Sequence, residues 1–285
     1  MTLPGLPVET ELPLGVRRVG KAGDSSRAFV LVHGFGGSSF TWRDWAPRLG
    51  EVAPTYTVDL TGFGDAPKPR NAPYDPASQA DSLVGLIDEI GASRVTLVGH
   101  SMGGGIALLT ALHLASSETV RVDAIVLIGA AAYRQKLPPF VALSKRPRLS
   151  TALVRAIGAR RIVHATLRSI VYDSATVNRE QIAAYARPLE TDEGLYAAMV
   201  SGRNILPEDI DEVSSRYAEL DMPALCLWGD HDRVIPLWVG RRLAEEIPGG
   251  ELVILPRCGH VPPEEQPQES LQVVENFLRE HSLWK

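Results

Sequence analysis

The sequence has few cysteines and no long apolar segment. Two cysteines, Cys226 and Cys258, among 285 residues are too few for a disulfide framework, so we expect a reducing compartment and no cysteine-based metal site. No apolar stretch reaches the roughly 18 to 20 residues that cross a bilayer. The segment Met1–Leu14 contains Glu9 and Glu11 and lacks the basic and apolar regions of a secretory signal. We therefore expect a cytoplasmic protein without a membrane partner.

The sequence also lacks a block of basic residues, and we expect its charged residues to be spread along the chain. The sequence has 29 lysines and arginines and 34 aspartates and glutamates, for a formal net charge of -5. Because a basic patch is the usual mark of a protein that binds nucleic acid, no nucleic acid partner is expected. With 45% hydrophobic residues, the chain can bury a large core as one domain or as one domain with an insertion.

A serine between two glycines is the strongest candidate for chemistry. The segment Gly99–Gly103 reads Gly-His-Ser-Met-Gly, follows the apolar run Val95–Val98 and precedes the helical stretch Gly104–Ala115. This order is typical of a nucleophile elbow, in which a strained turn needs glycine two residues to either side of the serine. The turn would expose the Ser101 hydroxyl beside unpaired amides at the start of the helix. We interpret Ser101 as an acyl-transfer nucleophile; the alternative is a glycine-rich connection without chemistry.

Strand and helix patterns alternate over the first part of the chain. Continuous apolar runs fit parallel strands that are buried on both faces, and the segments between them have helical spacing. The alternation predicts an α/β fold with a doubly wound sheet and right-handed crossovers. An edge hairpin is expected at Val8–Val19, and Ser39 is expected to cap a helix that continues to Leu49. The other predicted elements are strands at Ala28–Val32, Tyr56–Val58, Val95–Val98 and Val122–Ile128 and a helix at Ala77–Ile90.

Glycines follow the first predicted parallel strand in the loop His33–Gly37. They would allow the backbone to curl close to the elbow, where the N–H of Phe35 could be one of two donors to an oxyanion. The N–H of Met102, directly after the elbow serine, would be the other. The alternative is an ordinary flexible loop.

The alternation stops between Tyr133 and Leu220. Repeated prolines divide this stretch into short helices, so we expect a helical insertion over the edge of the sheet where open α/β folds bind ligands. About a quarter of its apolar residues are expected to line a pocket. Its arginines are expected to form a solvated face. The apolar residues are Phe140, Leu143, Leu153, Ile157, Ile162, Leu167, Ile170 and Met199, and the arginines are Arg146, Arg148, Arg160 and Arg161.

Strand patterns return at Ala224–Trp228 and Glu251–Leu255, and each leads into a polar loop. The first loop contains Asp230 and Asp232, and the second contains His260. With the elbow serine upstream, the chain order is serine, aspartate, histidine, which occurs in one large class of serine hydrolases. From the residues alone, either aspartate could be the acid.

These motifs together resemble the α/β-hydrolases, a group that includes carboxylesterases, cofactor-free haloperoxidases and carbon-carbon bond hydrolases. The resemblance implies a mostly parallel eight-stranded sheet flanked by helices, with residues 1–132 and 221–285 as the core domain and residues 133–220 as a helical cap after strand 6. It also implies Asp232 as the acid, with Asp230 orienting the turn, and it implies no cofactor or metal. The matching segments are His33–Gly37, Asp59–Gly64, Gly99–Gly104, Gly229–Asp232 and Cys258–Pro262.

The reaction that the resemblance implies is hydrolysis of a small or medium acyl ester through an acyl-enzyme on Ser101. His260 would be the general base, Asp232 would orient it, and the amides of Phe35 and Met102 would hold the oxyanion. The partner is therefore expected to be a small-molecule ester, with no cofactor.

Positions where this sequence differs from members of the resembling group reduce the number of reactions that it could catalyse. The loop Gly62–Ala66 resembles that of epoxide hydrolases, but those enzymes need a carboxylate nucleophile, which Ser101 is not. Carbon-carbon bond hydrolases often carry a tryptophan after the catalytic histidine, where this chain has Val261. That activity stays an alternative, together with lactone opening and peracid formation at the same site. A ligand receptor without catalysis is the alternative from a different class.

Overall fold

A computed structural model describes residues 5–20 and 26–284 and has a twisted sheet at its centre. The strands of the described residues are β1 (Leu6–Val8), β2 (Gly15–Val19), β3 (Arg27–Val32), β4 (Thr55–Asp59), β5 (Arg94–His100), β6 (Arg121–Ile128), β7 (Ala224–Gly229) and β8 (Gly250–Leu255). They form one eight-stranded sheet in the order β1-β2-β4-β3-β5-β6-β7-β8. The β1–β2 and β2–β4 pairs are antiparallel, and the other pairs are parallel. The predicted α/β architecture and the hairpin at its edge are confirmed.

Helices cover both faces of the sheet and make a three-layer structure. On one face α2, α3 and α10 pack on the strands, and on the other face α1 and α12 do so. The helices of the described residues are α1 (Ala46–Leu49), α2 (Pro76–Glu89), α3 (Met102–Leu114), α4 (Pro139–Ala142), α5 (Pro147–Ile157), α6 (Ala159–Ile170), α7 (Arg179–Ala186), α8 (Asp192–Asn204), α9 (Ile210–Ser215), α10 (Leu237–Glu246), α11 (Pro262–Glu265) and α12 (Pro267–Glu280).

Burial on both faces explains why the central strands are continuous apolar runs. In β3, the side chain of Leu31 belongs to the core on one face, and those of Val30 and Val32 belong to the core on the other. None of the three has any exposed surface. Because successive side chains of a strand point to opposite faces, every position of such a strand is apolar.

The segment after β3 differs from the predicted helix. A 3₁₀ turn at Ser39–Trp42 is capped by Ser38 rather than Ser39, and α1 begins only at Ala46. Pro47 has no amide hydrogen to donate to the carbonyl four residues earlier, so one continuous helix cannot pass this point.

Between β6 and β7 the chain forms helices α4 to α9 and 3₁₀ turns, with no strand over residues 133–220. The end of α6 reaches the loop after β8, where the carbonyl of Ile170 accepts a 2.8 Å hydrogen bond from the amide of His260. These helices therefore lie against the loops at the carboxyl ends of the strands. Among the residues that the structure describes, no helix is long and apolar enough to span a membrane.

Candidate active site

Ser101 lies at the sharp turn between β5 and α3. Its φ of 54° and ψ of -120° are outside the regions that side chains normally permit. A Cβ atom at Gly99 would lie 2.4 Å from the carbonyl oxygen of Gly103, and one at Gly103 would lie 2.4 Å from that of His33. No larger residue fits either position unless the backbone moves. The turn thus has the geometry that the glycine spacing predicts for a nucleophile elbow.

The structure brings the three predicted catalytic side chains together. The Ser101 Oγ lies 3.0 Å from Nε2 of His260, and Nδ1 of His260 lies 2.8 Å from Oδ2 of Asp232. All three side chains are largely buried. This network assigns the histidine tautomer with Nδ1–H donating to the carboxylate and Nε2 accepting from the serine hydroxyl. The arrangement can therefore move the serine proton onto the imidazole.

The two candidate aspartates have different partners. Asp232 faces the imidazole with one oxygen, while its other oxygen accepts the amides of Val234 at 2.8 Å and Ile235 at 2.9 Å. Asp230 instead bonds the ring of His231 and the amide of Cys258. The position of Asp232 therefore supports its assignment as the acid, and Asp230 holds the turn to the loop after β8.

The main chain of His260 is held on both sides. Its amide donates to Ile170 at the end of α6, and its carbonyl accepts from Nε2 of His100 at 2.8 Å. The rings of His100 and His260 are also in contact, with a centroid distance of 4.8 Å and an angle of 47° between their planes. Burial lowers the pKa of His100 to about 3, with the nearby His260 adding to the effect. His100 is therefore a neutral donor that fixes the loop carrying His260.

Glu265 binds the same loop through three backbone amides. One carboxylate oxygen accepts from Gly259 at 2.9 Å and from Tyr172 at 2.7 Å, and the other accepts from Val261 at 2.9 Å. Two of these amides flank His260, and the third belongs to the insertion. Glu265 was not among the candidate residues predicted from the sequence; its position five residues after His260 was the available signal.

The loop after β3 is fixed close to the elbow. Nδ1 of His33 donates to the carbonyl of Gly34 at 2.7 Å, and its Nε2 accepts the amide of Leu60 at 3.1 Å. Burial lowers the pKa of His33, so the ring stays neutral in this role. Within the described residues, the amides of Phe35 and Met102 have no acceptor. Both residues line the same cavity as the elbow serine.

A second buried network joins the insertion to the core. Glu264 accepts from Arg43 at 2.7 Å, from Gln181 at 3.0 Å and from the hydroxyl of Tyr185. The Tyr185 hydroxyl also lies 2.9 Å from Oγ1 of Thr41. Burial and the adjacent carboxylate raise the pKa of Tyr185 well above its usual value. Because α7 supplies Gln181 and Tyr185, this network anchors the insertion beside the catalytic loop.

A cavity of about 400 Å³ lies between the insertion and the elbow, and Ser101 and His260 are part of its wall. The wall is predominantly apolar. Its one charged side chain among the described residues is Glu264, which is paired with Arg43, so no lysine or arginine faces the cavity there.

The insertion contributes far more of this wall than the sequence predicted. All eight apolar residues considered above line the cavity, rather than about a quarter of them. The expectation was wrong because the apolar faces of α5 and α6 line the cavity in addition to packing within the insertion, where Leu167 of α6 belongs to a small core with Val163 and Tyr185.

Both cysteines are buried and lie outside the hydrogen-bonded network of Ser101. Burial raises the pKa of Cys226 to about 12 and raises that of Cys258 as well, so neither thiol is poised to react. Over residues 5–20 and 26–284, no cluster of three or more potential metal ligands is found.

Comparison with known proteins agrees with this architecture. Among curated relatives, the 2-hydroxy-6-oxononadienedioate/2-hydroxy-6-oxononatrienedioate hydrolase of Burkholderia vietnamiensis is 28% identical, covering 90% of this chain and 88% of its own. An alpha/beta hydrolase fold protein from Burkholderia ambifaria has a TM-score of 0.83 at 27% identity, covering 96% of this chain and 98% of its own. A meta-cleavage product hydrolase from Pseudomonas fluorescens has a TM-score of 0.76 at 25% identity, covering 94% of each chain. Because the model of the Alpha/beta hydrolase family matches residues 29–273, from within β3 to within α12, the chain belongs to that family.

Proposed function

We propose that this hydrolase is a serine carboxylesterase that cleaves neutral esters with apolar acyl groups. The observation that carries the proposal is the hydrogen-bonded series Ser101, His260 and Asp232, with distances of 3.0 and 2.8 Å, in the wall of an apolar cavity. A nucleophile, a base within reach of its proton and a carboxylate that orients the base are the parts that acyl transfer needs.

The reaction would proceed in two halves. Nε2 of His260 takes the Ser101 proton as Oγ forms a bond to the ester carbonyl carbon, and the same proton then goes to the departing alcohol. In the second half, water loses a proton to His260 and attacks the acyl-enzyme, and the serine oxygen recovers the proton as the acid leaves. Asp232 keeps the imidazole in the required tautomer and stabilises its charged form.

The tetrahedral intermediates need donors for their negative oxygen. The amides of Phe35 and Met102 fit this role because both line the cavity and neither has an acceptor among the described residues. The Met102 amide is also the first of α3, where helix N–H groups lack an internal partner. A donor of this kind typically contributes about 3 kcal/mol to the transition state.

Residues 133–220 are proposed to act as a cap that selects the substrate. The cap supplies most of the apolar wall, and the buried network of Glu264 fixes it to the core. An acyl chain can bury its surface there, whereas a carboxylate would enter without a cation to pair with it, which is costly in an apolar site.

Carbon-carbon bond hydrolysis is the second candidate, because relatives with that activity in their names share the sequence and fold. The substrate in the name of the Burkholderia vietnamiensis relative is a dioate, hence a dianion at neutral pH. Since the cavity of this chain presents no lysine or arginine among the described residues, we place ester hydrolysis first.

The test is hydrolysis of p-nitrophenyl esters by the wild type, by Ser101→Ala and by a matched control, Ser93→Ala. Ser93 is exposed just before the other end of the same strand. We expect Ser101→Ala to lower kcat at least about ten-thousandfold and Ser93→Ala to keep the wild-type rate. Equal, slow hydrolysis by all three proteins would contradict the proposal, and the 2-hydroxy-6-oxo-dienoate class would then be the next substrate to assay.

A further inference from the structure

Positive charge is concentrated in the first half of the proposed cap. The segment from Tyr133 to Tyr172 contains nine lysines and arginines and no aspartate or glutamate, in a chain whose formal net charge is -5. Four of these cations, Arg146, Arg148, Arg160 and Arg161, are the arginines expected from the sequence to form a solvated face. A patch of this sign on an acidic protein is a feature that attracts an anionic partner.

Part of this charge is not neutralised within the molecule. Three arginines of the segment pair with carboxylates later in the insertion. Lys145, Arg146 and Arg148 do not: in the part of the chain that the structure describes, no carboxylate lies within 4 Å of them. All three are exposed at the turn that leads into α5. They are therefore available to a partner in solution.

Apolar side chains are exposed beside these cations. Leu143 precedes Lys145, and Leu149 follows Arg148 on the first turn of α5; both leucines are exposed. We call these five residues, Leu143, Lys145, Arg146, Arg148 and Leu149, the α5 corner. Cations next to exposed leucines on an amphipathic helix are typical of a surface that lies in a lipid headgroup region.

The α5 corner is continuous with the wall of the cavity. Among the described residues that line the cavity, Leu143 and Ile157 are the two that are largely exposed, with 40% and 44% of their surface accessible. Leu143 lies just before α5 and Ile157 is its last residue, so the apolar wall reaches the protein surface at both ends of this helix.

We propose that the α5 corner binds an anionic lipid surface, from which the cavity takes its substrate, an ester of an apolar acyl chain. The substrate part of the proposal rests on the proposed esterase function. Peripheral binding of this kind needs no spanning helix, so it revises the expectation of no membrane partner. The leucines favour a lipid surface over an acidic protein, because a purely electrostatic partner would not need exposed apolar side chains that lead into the cavity.

The test is co-sedimentation of the full chain with two kinds of vesicle, phosphatidylcholine alone and phosphatidylcholine with about a third phosphatidylglycerol. Each cation near an anionic surface contributes about fivefold in affinity. We expect at least about twentyfold tighter binding to the anionic vesicles, weakened by added salt. Arg146→Glu with Arg148→Glu should remove that preference.

The matched control is Arg179→Glu with Arg241→Glu, which makes the same change in net charge. Both arginines are exposed, and neither has a carboxylate partner among the described residues. We expect this control to bind anionic vesicles like the wild type. Leu149→Ser should weaken vesicle binding but not hydrolysis of a soluble ester, since Leu149 does not line the cavity.

The proposal of a lipid-binding surface would be wrong if the wild type bound both kinds of vesicle equally. It would also be wrong if the control variant lost as much binding to anionic vesicles as Arg146→Glu with Arg148→Glu. If vesicles are not bound but the wild type forms a larger species that Arg146→Glu with Arg148→Glu abolishes, the α5 corner is a contact between copies of the chain. Each variant is also assayed on soluble p-nitrophenyl butyrate. If turnover depends on Ser101 but vesicles are not bound, the esterase proposal stands and the lipid-binding proposal is wrong. If vesicles are bound but no such turnover is seen, the lipid-binding proposal stands and the esterase proposal is wrong.

Discussion

At the scale of single residues, the imidazole of His260, the proposed general base, is positioned by groups to which the proposed mechanism assigns no chemical step. His260 has its ring between Ser101 and Asp232, while its backbone is held by His100 and by the carbonyl of Ile170. Because general-base catalysis requires the base within hydrogen-bond distance of the proton, the residues that fix the loop matter for the rate.

Replacing each of the two aspartates after β7 by asparagine distinguishes their roles. Asp232→Asn should lower kcat about ten-thousandfold, because the neutral side chain no longer selects the tautomer that accepts the serine proton. Asp230→Asn should keep kcat within about tenfold, since Asp230 contacts His231 and Cys258 rather than the catalytic imidazole. Measured values of kcat in the reverse order would show that Asp230 is the acid.

His100 should make the protein less stable in mild acid. Its pKa is about 3 in the folded protein and about 6.5 in the unfolded chain, so between these values the unfolded chain binds the extra proton. Stability is therefore complete above about pH 6.5 and falls below it, by about 2 kcal/mol at pH 5.

The check is urea unfolding of the wild type and of His100→Gln at pH 7 and pH 5. Glutamine keeps an N–H that can donate to the His260 carbonyl but does not titrate. We expect a smaller loss of unfolding free energy in the variant, with a residual slope from His33, whose pKa is also lowered. The same loss in both proteins would refute the role of His100.

At the scale of elements, the site is formed by loops that follow strands far apart in the sequence. The loops after β3, β5, β7 and β8 converge because these strands are parallel neighbours in the order β3-β5-β6-β7-β8. The insertion between β6 and β7 then joins the β8 loop through Glu265 and Glu264. An insertion that lies outside the strand and helix alternation of the sequence thus takes part in positioning His260, the proposed base.

Glu265→Ala should act on the chemical step through that junction. Losing three amide partners frees the backbone on both sides of His260, so we expect kcat to fall about tenfold to a hundredfold with little change in KM. Glu265→Gln keeps one acceptor oxygen, so its kcat should lie between those of the wild type and Glu265→Ala. Glu269→Ala, an exposed position nearby, is the control. A fall in thermal stability without any change in kcat would show that Glu265 has only a structural role.

At the scale of the whole molecule, the proposed function makes the cavity between residues 133–220 and the rest of the chain the determinant of ester preference. Its volume of about 400 Å³ and its apolar wall suit an acyl chain. Burying each CH₂ group contributes about 0.8 kcal/mol, or about fourfold in binding.

We therefore expect kcat/KM for p-nitrophenyl esters to rise about fourfold per CH₂ from acetate until the cavity is full. A p-nitrophenyl hemisuccinate, similar in length to the valerate but anionic, should be at least about a hundredfold poorer, because its carboxylate finds no cation. A flat series, or a preference for the hemisuccinate, would contradict the neutral substrate class and favour the dioate-cleaving alternative.

Local patterns predicted most of the framework. Residues 28–32 of β3 and 124–128 of β6 are apolar at every position because both faces are covered. Gly99 and Gly103 identify the elbow because a side chain at either position would collide with backbone. Helix breaks were harder to place: Pro47 divided a segment whose apolar spacing predicted one helix. Patterns of this kind are local consequences of burial and backbone sterics, which a single sequence displays.

The sequence by itself determined the α/β order, the elbow serine and the chain order of serine, aspartate and histidine. From the residues alone either aspartate was possible, and the resemblance implied Asp232; the tertiary structure places Asp232 against His260. Only the tertiary structure decided that Glu264 and Glu265 join the insertion to the segment that carries His260, and that the amphipathic faces of α5 and α6 line one cavity. These outcomes depend on contacts between elements distant in sequence, because an amphipathic pattern tells which face of a helix is covered but not what covers it.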